Sequence, residues 1–120
     1  MIISKYETED GITIFRLSGK LISATLDKLK AGLDGVIALG GNIRIVVNLK
    51  DVGLIDSVAV GLMISRHKLV KKKNGIMRFC CLQPAISKLF SLTDLDQMAG
   101  IDTEEEEALD NVRAEAKAKD

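Results

Sequence analysis

A carboxylate and a hydroxyl lie side by side at Asp56-Ser57, between an apolar, strand-like run and a helical pattern. A carboxylate at a helix start can accept hydrogen bonds from the free N–H groups of the first turn. The hydroxyl of Ser57 is a candidate for phosphorylation, but serine is also common at helix starts without being modified. We therefore interpret Asp56 as a helix cap and Ser57 as a first-turn residue, with phosphorylation of Ser57 as the alternative.

Groups for catalysis are few in this chain. His67 is the only histidine, and no serine, cysteine or carboxylate is expected beside it, so we interpret it as a part-buried packing residue. The sequence has no G-x-x-x-x-G-K phosphate loop, and Gly40-Gly41 is interpreted as a helix stop. We expect that the protein is not an enzyme and that it uses no cofactor.

Two adjacent cysteines, Cys80 and Cys81, lie in a strand-like run. Successive side chains of a strand point to opposite faces, so we expect both thiols to be reduced, close to the core and not bridged. A metal site would need further ligands at short spacing, and the chain has no C-x-x-C pair. We therefore predict no metal site.

Charge and hydropathy limit the possible partners and locations. Lys plus Arg equals Asp plus Glu, at 17 each, so the chain lacks the net positive field that gathers nucleic acid. The start "MIISKYETEDG" has no basic leader, and the apolar runs are far shorter than the roughly 20 residues of a membrane span. We expect a cytoplasmic protein of one domain that is not membrane-inserted and does not bind nucleic acid.

The first half of the chain predicts a hairpin, a helix and a buried strand. "SKYETED" and "ITIFRLSG" flank Asp10-Gly11, a strong hairpin signal. Apolar residues recur at helical spacing from Ser23 to Leu39, with Ser23 or Thr25 as possible caps. "IRIVVNL" is continuous and β-branched, which is typical of a central strand.

A second helix is predicted from about Ser57 to Lys72, followed by the strand "GIMRFCCL". Pro84 begins a short helix through Leu92, and "MAGID" is an edge strand. The order ββαβαβαβα predicts an α/β domain, with parallel pairing through helical crossovers and an antiparallel hairpin.

The acidic tail "TEEEEALDNVRAEAKAKD" admits two interpretations. Its acidic start and basic end suit a helix dipole, and Ala108, Leu109 and Val112 supply an apolar stripe. We favour a surface helix over an acidic interaction arm. The predicted domain spans residues 1–110, and residues 111–120 form the frayed end of that helix.

The second helix has two apolar faces. At 3.6 residues per turn, one side should face the sheet, and it carries Val60, Met63, Ile64, His67 and Val70. A flank with Val58, Leu62 and Leu69 is either covered by the first helix or offered to a partner, and both possibilities stay open.

The segment "VVNLKDVGLIDSVAVGLMISRHKLVKKKNG" resembles the central part of STAS domains, and most of all the bacterial anti-sigma factor antagonists, with their D-S-[ST]-G-[LV]-G turn. "LSGKL" and "PAISKLFSLTDLDQMAGI" resemble flanking segments of the same family, so the resemblance runs from about Ile12 to Ala108. It implies a STAS-like single domain, with a mixed four- to five-stranded sheet and helices mainly on one face.

The resemblance also implies a function. Unphosphorylated antagonists capture an anti-sigma factor kinase, and phosphorylation of the hydroxyl residue after the D-S pair ends the capture. Asp56, Ser57, Gly61, Arg66 and Lys68 match the family pattern. The chain is therefore expected to bind an anti-sigma factor kinase or a related signalling protein. The predicted partner-binding residues are Asp56, Ser57, Val58, Leu62, Arg66 and Leu69.

Three departures from the family pattern weaken the regulatory part of this expectation. The phosphoacceptor position is Val58, Ala59 replaces the following glycine, and Ile22 stands where many members have aspartate. Valine has no oxygen to phosphorylate, and Ser57 is rotated by about 100° on the helix. The alternative function is a STAS-like structural subunit of a larger assembly, such as a lipid transporter or a stressosome, with no phosphorylation. The oligomeric state stays open.

Overall fold

The computed structural model describes residues 1–119, and they form an α/β domain with one sheet. The strands are β1 (Ile2–Glu7), β2 (Thr13–Leu21), β3 (Arg44–Ile55), β4 (Ile76–Cys80) and β5 (Gly100–Asp102). The helices are α1 (Asp27–Leu39), α2 (Ser57–Lys72), α3 (Pro84–Leu92), α4 (Leu95–Met98) and α5 (Glu105–Lys119).

The strands lie in the order β1-β2-β3-β4-β5. β1 pairs antiparallel with β2, and the pairs from β2 to β5 are parallel. Helical crossovers join the parallel strands, because a parallel connection must carry the chain back along the sheet. The mixed five-stranded sheet confirms the predicted fold class.

Helices cover both faces of the sheet unequally. Strand residues alternate between the faces, so Ile45 and Val47 pack in the larger cluster with α1 to α4, while Val46 packs in the smaller one with α5. The smaller cluster contains Ile12, Ile14, Val46, Ile76, Cys80, Ala108, Leu109, Val112 and Ala116. Helices therefore lie mainly on one face, as expected.

Two details around α1 and α4 differ from the predictions. The segment Ser23–Thr25 is a 3₁₀ turn, and α1 begins only at Asp27, with no side-chain cap. The hydroxyl of Thr25 instead accepts a hydrogen bond from the N–H of Ile22 at 3.1 Å. The four-residue helix α4 was not predicted, because so short a segment shows no apolar period.

The prediction of a terminal helix is confirmed. α5 runs to Lys119, and Val112 and Ala116 are buried against the sheet. The predicted boundary at residue 110 falls inside this helix, and the fraying of residues 111–120 stays a prediction. Asp120 lies outside the described residues.

The expected orientation of the cysteine pair is wrong. Cys80 is the last residue of β4, and Cys81 follows in the left-handed region at φ 64°. This backbone turn brings the side chain of Cys81 against the same apolar cluster that contains Cys80. Both are free thiols, and burial raises the pKa of Cys80.

Candidate partner-binding surface

Asp56 joins two loops at the carboxyl end of β3. Its Oδ1 accepts a hydrogen bond from the N–H of Ala59 at 2.9 Å, which caps α2 as predicted. Its Oδ2 accepts a second from the N–H of Ser23 at 2.8 Å, which holds the turn after β2. These N–H groups hold the pKa of Asp56 below its usual range, since they stabilise the ionised carboxylate. Asp56 therefore fixes the geometry of the turn.

Ser57 and Val58 are the exposed residues in the first turn of α2. The side chain of Val58 is 53% exposed, although valine has no polar group that water would solvate. Ser57 is also exposed. The first turn of α2 thus presents an apolar side chain two residues after the fixed carboxylate of Asp56.

Leu62 was predicted as a partner-binding residue on a flank that could also be covered by the first helix, and at this position the structure shows the cover. Leu62 is 8% exposed and belongs to the main core. It lies one turn before Arg66 on the same flank of α2, and Arg66 contacts Asp34 of α1. Leu62 therefore lies on the flank that faces α1, and it cannot contribute an exposed side chain to a partner surface.

Arg66 forms an ion pair within the protein. Its Nε donates to Oδ1 of Asp34 at 2.8 Å, and one terminal nitrogen donates to Oδ2 at 3.1 Å. The other terminal nitrogen donates to Oγ of Ser65 at 3.0 Å. The guanidinium lowers the pKa of Asp34. Arg66 thus positions α2 against α1, and any partner contact would have to compete with these bonds.

Val58 and Leu69 lie on the same side of α2. They are 11 residues apart, which places them within about 20° around the helix and about 16 Å along it. Leu69 is 37% exposed, and Gly61 and Ser65, between them, are also exposed. We call this surface the α2 stripe, and its residues are Val58, Gly61, Ser65 and Leu69.

Sequence reasoning missed two features of this region. A Cβ added to Gly61 would meet nothing within 4 Å, so the fold does not require a glycine there. Leu54, two residues before Asp56, is 49% exposed. Its exposure was not predicted because it follows a continuous apolar run that is typical of a buried strand.

His67 lies on the buried side of α2 and is 6% exposed, as a packing residue should be. Burial, and then the nearby Lys71, lower the pKa of His67, because both disfavour the charged ring. Val60, Met63 and Val70 are buried on the same side, which confirms the predicted inner face of α2.

Among residues 1–119, no three His, Cys, Asp or Glu side chains are grouped so that they could hold a metal ion. None of the helices in that part of the chain is long and apolar enough to cross a membrane.

The comparisons with known proteins agree with the fold and the sequence. The family model of the STAS domain matches residues 4–108. An anti-sigma F factor antagonist from Paenibacillus polymyxa is 32% identical over 103 residues, which cover 86% of this chain and 88% of that protein. The anti-sigma-B factor antagonist of Bacillus subtilis (strain 168) is 27% identical over 83% of this chain and 89% of its own.

Solved structures share the fold. An anti-sigma factor antagonist from Mycobacterium paratuberculosis superposes with a TM-score of 0.81 at 24% identity, over 93% of this chain and 95% of its own. The anti-sigma factor antagonist SpoIIAA in its unphosphorylated form gives a TM-score of 0.74 at 24% identity, over 93% of this chain and 98% of its own. The chain belongs to the STAS domain family and is an anti-sigma factor antagonist-like member of it.

Proposed function

We propose that this protein is a protein-binding module that captures an anti-sigma factor kinase or a related signalling protein. The contact is formed by the turn at Asp56-Ser57 and the α2 stripe, without phosphorylation at the family position. The observation that carries the proposal is Val58, an apolar side chain that is 53% exposed beside a fixed carboxylate.

The apolar character of the α2 stripe supports binding. Val58 and Leu69 mark its two ends, and the interval between them is filled by a glycine and a serine. A partner that covers this surface removes both apolar side chains from water, which favours association. Gly61 lets a partner approach the helix backbone closely, because no side chain projects there.

The absence of an oxygen at position 58 supports constitutive binding. Phosphorylation would add roughly −1.5 to −2 charges next to Asp56, and it would weaken an apolar contact by repulsion and desolvation. Val58 cannot receive this charge. Control would then come from the abundance of the protein or from another input.

The proposal includes a cytoplasmic location and the absence of catalysis. A sigma-factor partner would be cytoplasmic, and binding requires no bond chemistry. The buried position and lowered pKa of His67 suit packing in the core of the domain.

A second function is a structural subunit that packs permanently on a larger assembly, such as a lipid transporter or a stressosome. The same feature, an apolar residue at the phosphoacceptor position, favours this alternative, because a permanent contact needs no release by phosphate. The two functions differ in the identity of the partner.

Capture from the native lysate, followed by mass spectrometry, tests the proposal. Wild-type protein should retain an anti-sigma factor kinase, and Val58→Asp should lose it, because the contact would desolvate a charge. Leu39→Asp is the matched control: Leu39 is 84% exposed at the end of α1 and lies outside the stripe. Its binding should equal that of wild type.

Three results would contradict the proposal. Capture of a permease or an ATPase component would favour the structural subunit. Equal binding by Val58→Asp and wild type would exclude Val58 from the contact, and Val58 is the residue that carries the proposal. Undiminished binding by Gly61→Met, whose new side chain has open space in the free protein, would exclude close approach to the helix.

A further inference from the structure

β1 is an edge strand with few features that discourage pairing. It pairs with β2 through six consecutive residue pairs with no register shift, and it contains no proline. Natural edge strands often carry bulges, prolines or charges, which prevent another strand from adding to the edge. Here only Lys5 and Glu7 provide such protection.

One hydrogen bond at the turn between β1 and β2 shows which backbone groups of β1 face away from β2. The N–H of Thr8 donates to the carbonyl of Ile12 at 2.9 Å, so Thr8 belongs to a hydrogen-bonded pair. Such pairs recur at every second residue of an antiparallel ladder. Ile2, Ser4 and Tyr6 therefore bond to β2, while the N–H and carbonyl groups of Ile3, Lys5 and Glu7 point outward.

We propose that a second copy of this chain pairs with this outer edge, antiparallel and across a two-fold axis that passes between the Ser4 residues of the two copies. Ile3 of one copy then exchanges hydrogen bonds with Lys5 of the other. The two sheets join into one sheet of ten strands. β1 contributes no residue to the α2 stripe, so this inference stands apart from the proposed function.

Of the registers that keep each sheet face continuous, only those with the axis at Ser4 or at Lys5 pair five residues of β1 with each other, and charge selects between these two. Directly opposed residues must both be odd-numbered or both even-numbered, since side chains alternate along a strand. A two-fold axis at Lys5 would place two ammonium groups opposite each other, which is destabilising. With the axis at Ser4, a small neutral residue lies at the centre and each Lys5 faces Ile3.

The apolar residues of β1 agree with the same register. Ile2 is 72% exposed and Tyr6 is 53% exposed. With the axis at Ser4, Ile2 of each copy lies opposite Tyr6 of the other as a non-hydrogen-bonded pair, in which side chains are closest. Both residues that the monomer leaves in water thus gain an apolar neighbour.

The contact is small, and its stability is correspondingly limited. A strand of six residues is well short of the roughly 20 to 30 residues per side of a stable interface. The dimer should therefore form in a concentration-dependent equilibrium. Sedimentation of the full chain from micromolar to millimolar concentration should show a reversible increase in mass towards that of a dimer, and a chain that stays monomeric throughout would overturn the proposal.

A cysteine at the axis tests the register. In non-hydrogen-bonded pairs the Cα atoms are about 4.5 Å apart, which lies within the range of disulfides. In a Cys81→Ser background, Ser4→Cys should form a disulfide-linked dimer with oxidised glutathione. It should do so roughly ten times faster than the exposed control Lys28→Cys, because pairing raises the effective concentration of the two thiols.

A cysteine at position 5 tests the competing register, in which the two-fold axis passes between the Lys5 residues. Lys5→Cys in the same background would crosslink faster than Ser4→Cys if the axis passed between the Lys5 residues, and that result would overturn the proposed pairing. Equal rates of disulfide formation for Ser4→Cys and Lys28→Cys would show that the Ser4→Cys chains meet only by random collision, and this result would contradict the proposed pairing. Circular dichroism of each variant confirms that the domain is folded before crosslinking.

Discussion

Asp56 accepts a hydrogen bond from the backbone N–H of Ser23, which lies 33 residues earlier in the chain, at 2.8 Å. The other oxygen of the same carboxylate caps α2 through Ala59. One side chain therefore orients both the turn after β2 and the start of the α2 stripe. The surface that we propose for partner binding depends on this carboxylate for its shape.

Removal of the Asp56 carboxylate should loosen both loops. In Asp56→Ala, the amides of Ser23 and Ala59 should exchange with deuterium faster than in wild type, while β3 exchanges at an unchanged rate. Asp56→Asn should give intermediate rates, since its single oxygen can accept only part of these bonds. Unchanged exchange at Ser23 in the alanine variant would contradict the role of this bond.

The same carboxylate predicts a pH dependence. The pKa of Asp56 is lower in the folded protein than the ordinary value of 3.8, so its stabilising effect is complete above that value. The effect is lost as the pH falls through the lowered pKa. Carboxyl chemical shifts in an NMR titration should show the Asp56 midpoint below that of an aspartate in an unfolded peptide.

Removal of one partner from the buried ion pair between Arg78 and Asp102 should lower the stability of the fold strongly. Asp102 is 3% exposed in its side chain and Arg78 14%, and two hydrogen bonds of 2.6 and 3.0 Å join them. Asp102→Ala leaves a part-buried guanidinium with fewer partners, so the free energy of unfolding should fall by about 3 kcal/mol, near the low end for buried pairs. Urea denaturation measures this change.

Glu115 provides the control for this pair. It also contacts Arg78, at 2.8 Å, but its side chain is 46% exposed. Glu115→Ala should therefore lower the free energy of unfolding by at most about 1 kcal/mol. Equal losses in the two variants would show that burial does not decide the strength of these contacts.

Two glycines of α1 should respond differently to alanine. A Cβ at Gly35 would meet nothing within 4 Å, whereas a Cβ at Gly32 would lie 2.8 Å from Cε1 of Phe15. Gly35→Ala should raise the free energy of unfolding by about 0.5 to 1 kcal/mol, through helix propensity. Gly32→Ala should be less stable than Gly35→Ala by about 1 to 3 kcal/mol, because the buried Phe15 must shift.

Thermal and urea unfolding of both glycine variants test this difference. The two positions share one helix, so propensity alone would give nearly equal effects. If Gly32→Ala is as stable as Gly35→Ala, Phe15 has room to move, and its ring does not restrict the side chain at position 32.

Protonation of His67 should destabilise the fold. Its pKa is lower in the folded protein than the ordinary value of 6.5, so the unfolded chain binds the proton more readily. The free energy of unfolding should then fall as the pH decreases from 6.5 towards the folded pKa. His67→Leu should remove that part of the pH dependence, as urea denaturation between about pH 7.5 and about pH 5.5 would show.

The alternation of strands and helices was predictable from sequence because each element buries a continuous apolar face. The inner face of α2, with Val60, Met63 and Val70, follows directly from the helical period. The flank with Leu62 could not be assigned in this way, since its burial depends on where α1 lies. The packing of α1 beside α2 determines that Leu62 is buried, and the helical periodicity of the sequence does not contain this information.

Polar contacts between distant segments were also beyond the reach of the sequence. The bond from Ser23 to Asp56 and the pair of Arg66 with Asp34 join segments more than 30 residues apart. The turn of Cys81 to the side of Cys80 depends on one left-handed residue after the strand end, and no glycine signals it. Sequence patterns identify such residues as polar or apolar, but the fold selects their partners.

The last prediction concerns phosphorylation of the first turn of α2. The family resemblance implies that Val58 stands at the phosphoacceptor position, and valine has no hydroxyl. Ser57 is exposed but is rotated by about 100° from that position, so a kinase that aligns residue 58 would not reach its hydroxyl. Incubation with a cognate serine kinase and ATP should therefore add no phosphate, as read by intact-mass spectrometry.

A gain-of-function variant makes this prediction sharper. Val58→Ser combined with Ala59→Gly restores the hydroxyl and the glycine of the family pattern, and it should acquire one phosphate if the kinase recognises the rest of the turn. Ala59 is fully buried, so circular dichroism must first show that the double variant is folded. Stoichiometric phosphate on the wild-type protein that disappears in Ser57→Ala would instead make Ser57 a shifted acceptor, and binding would then be switchable despite Val58.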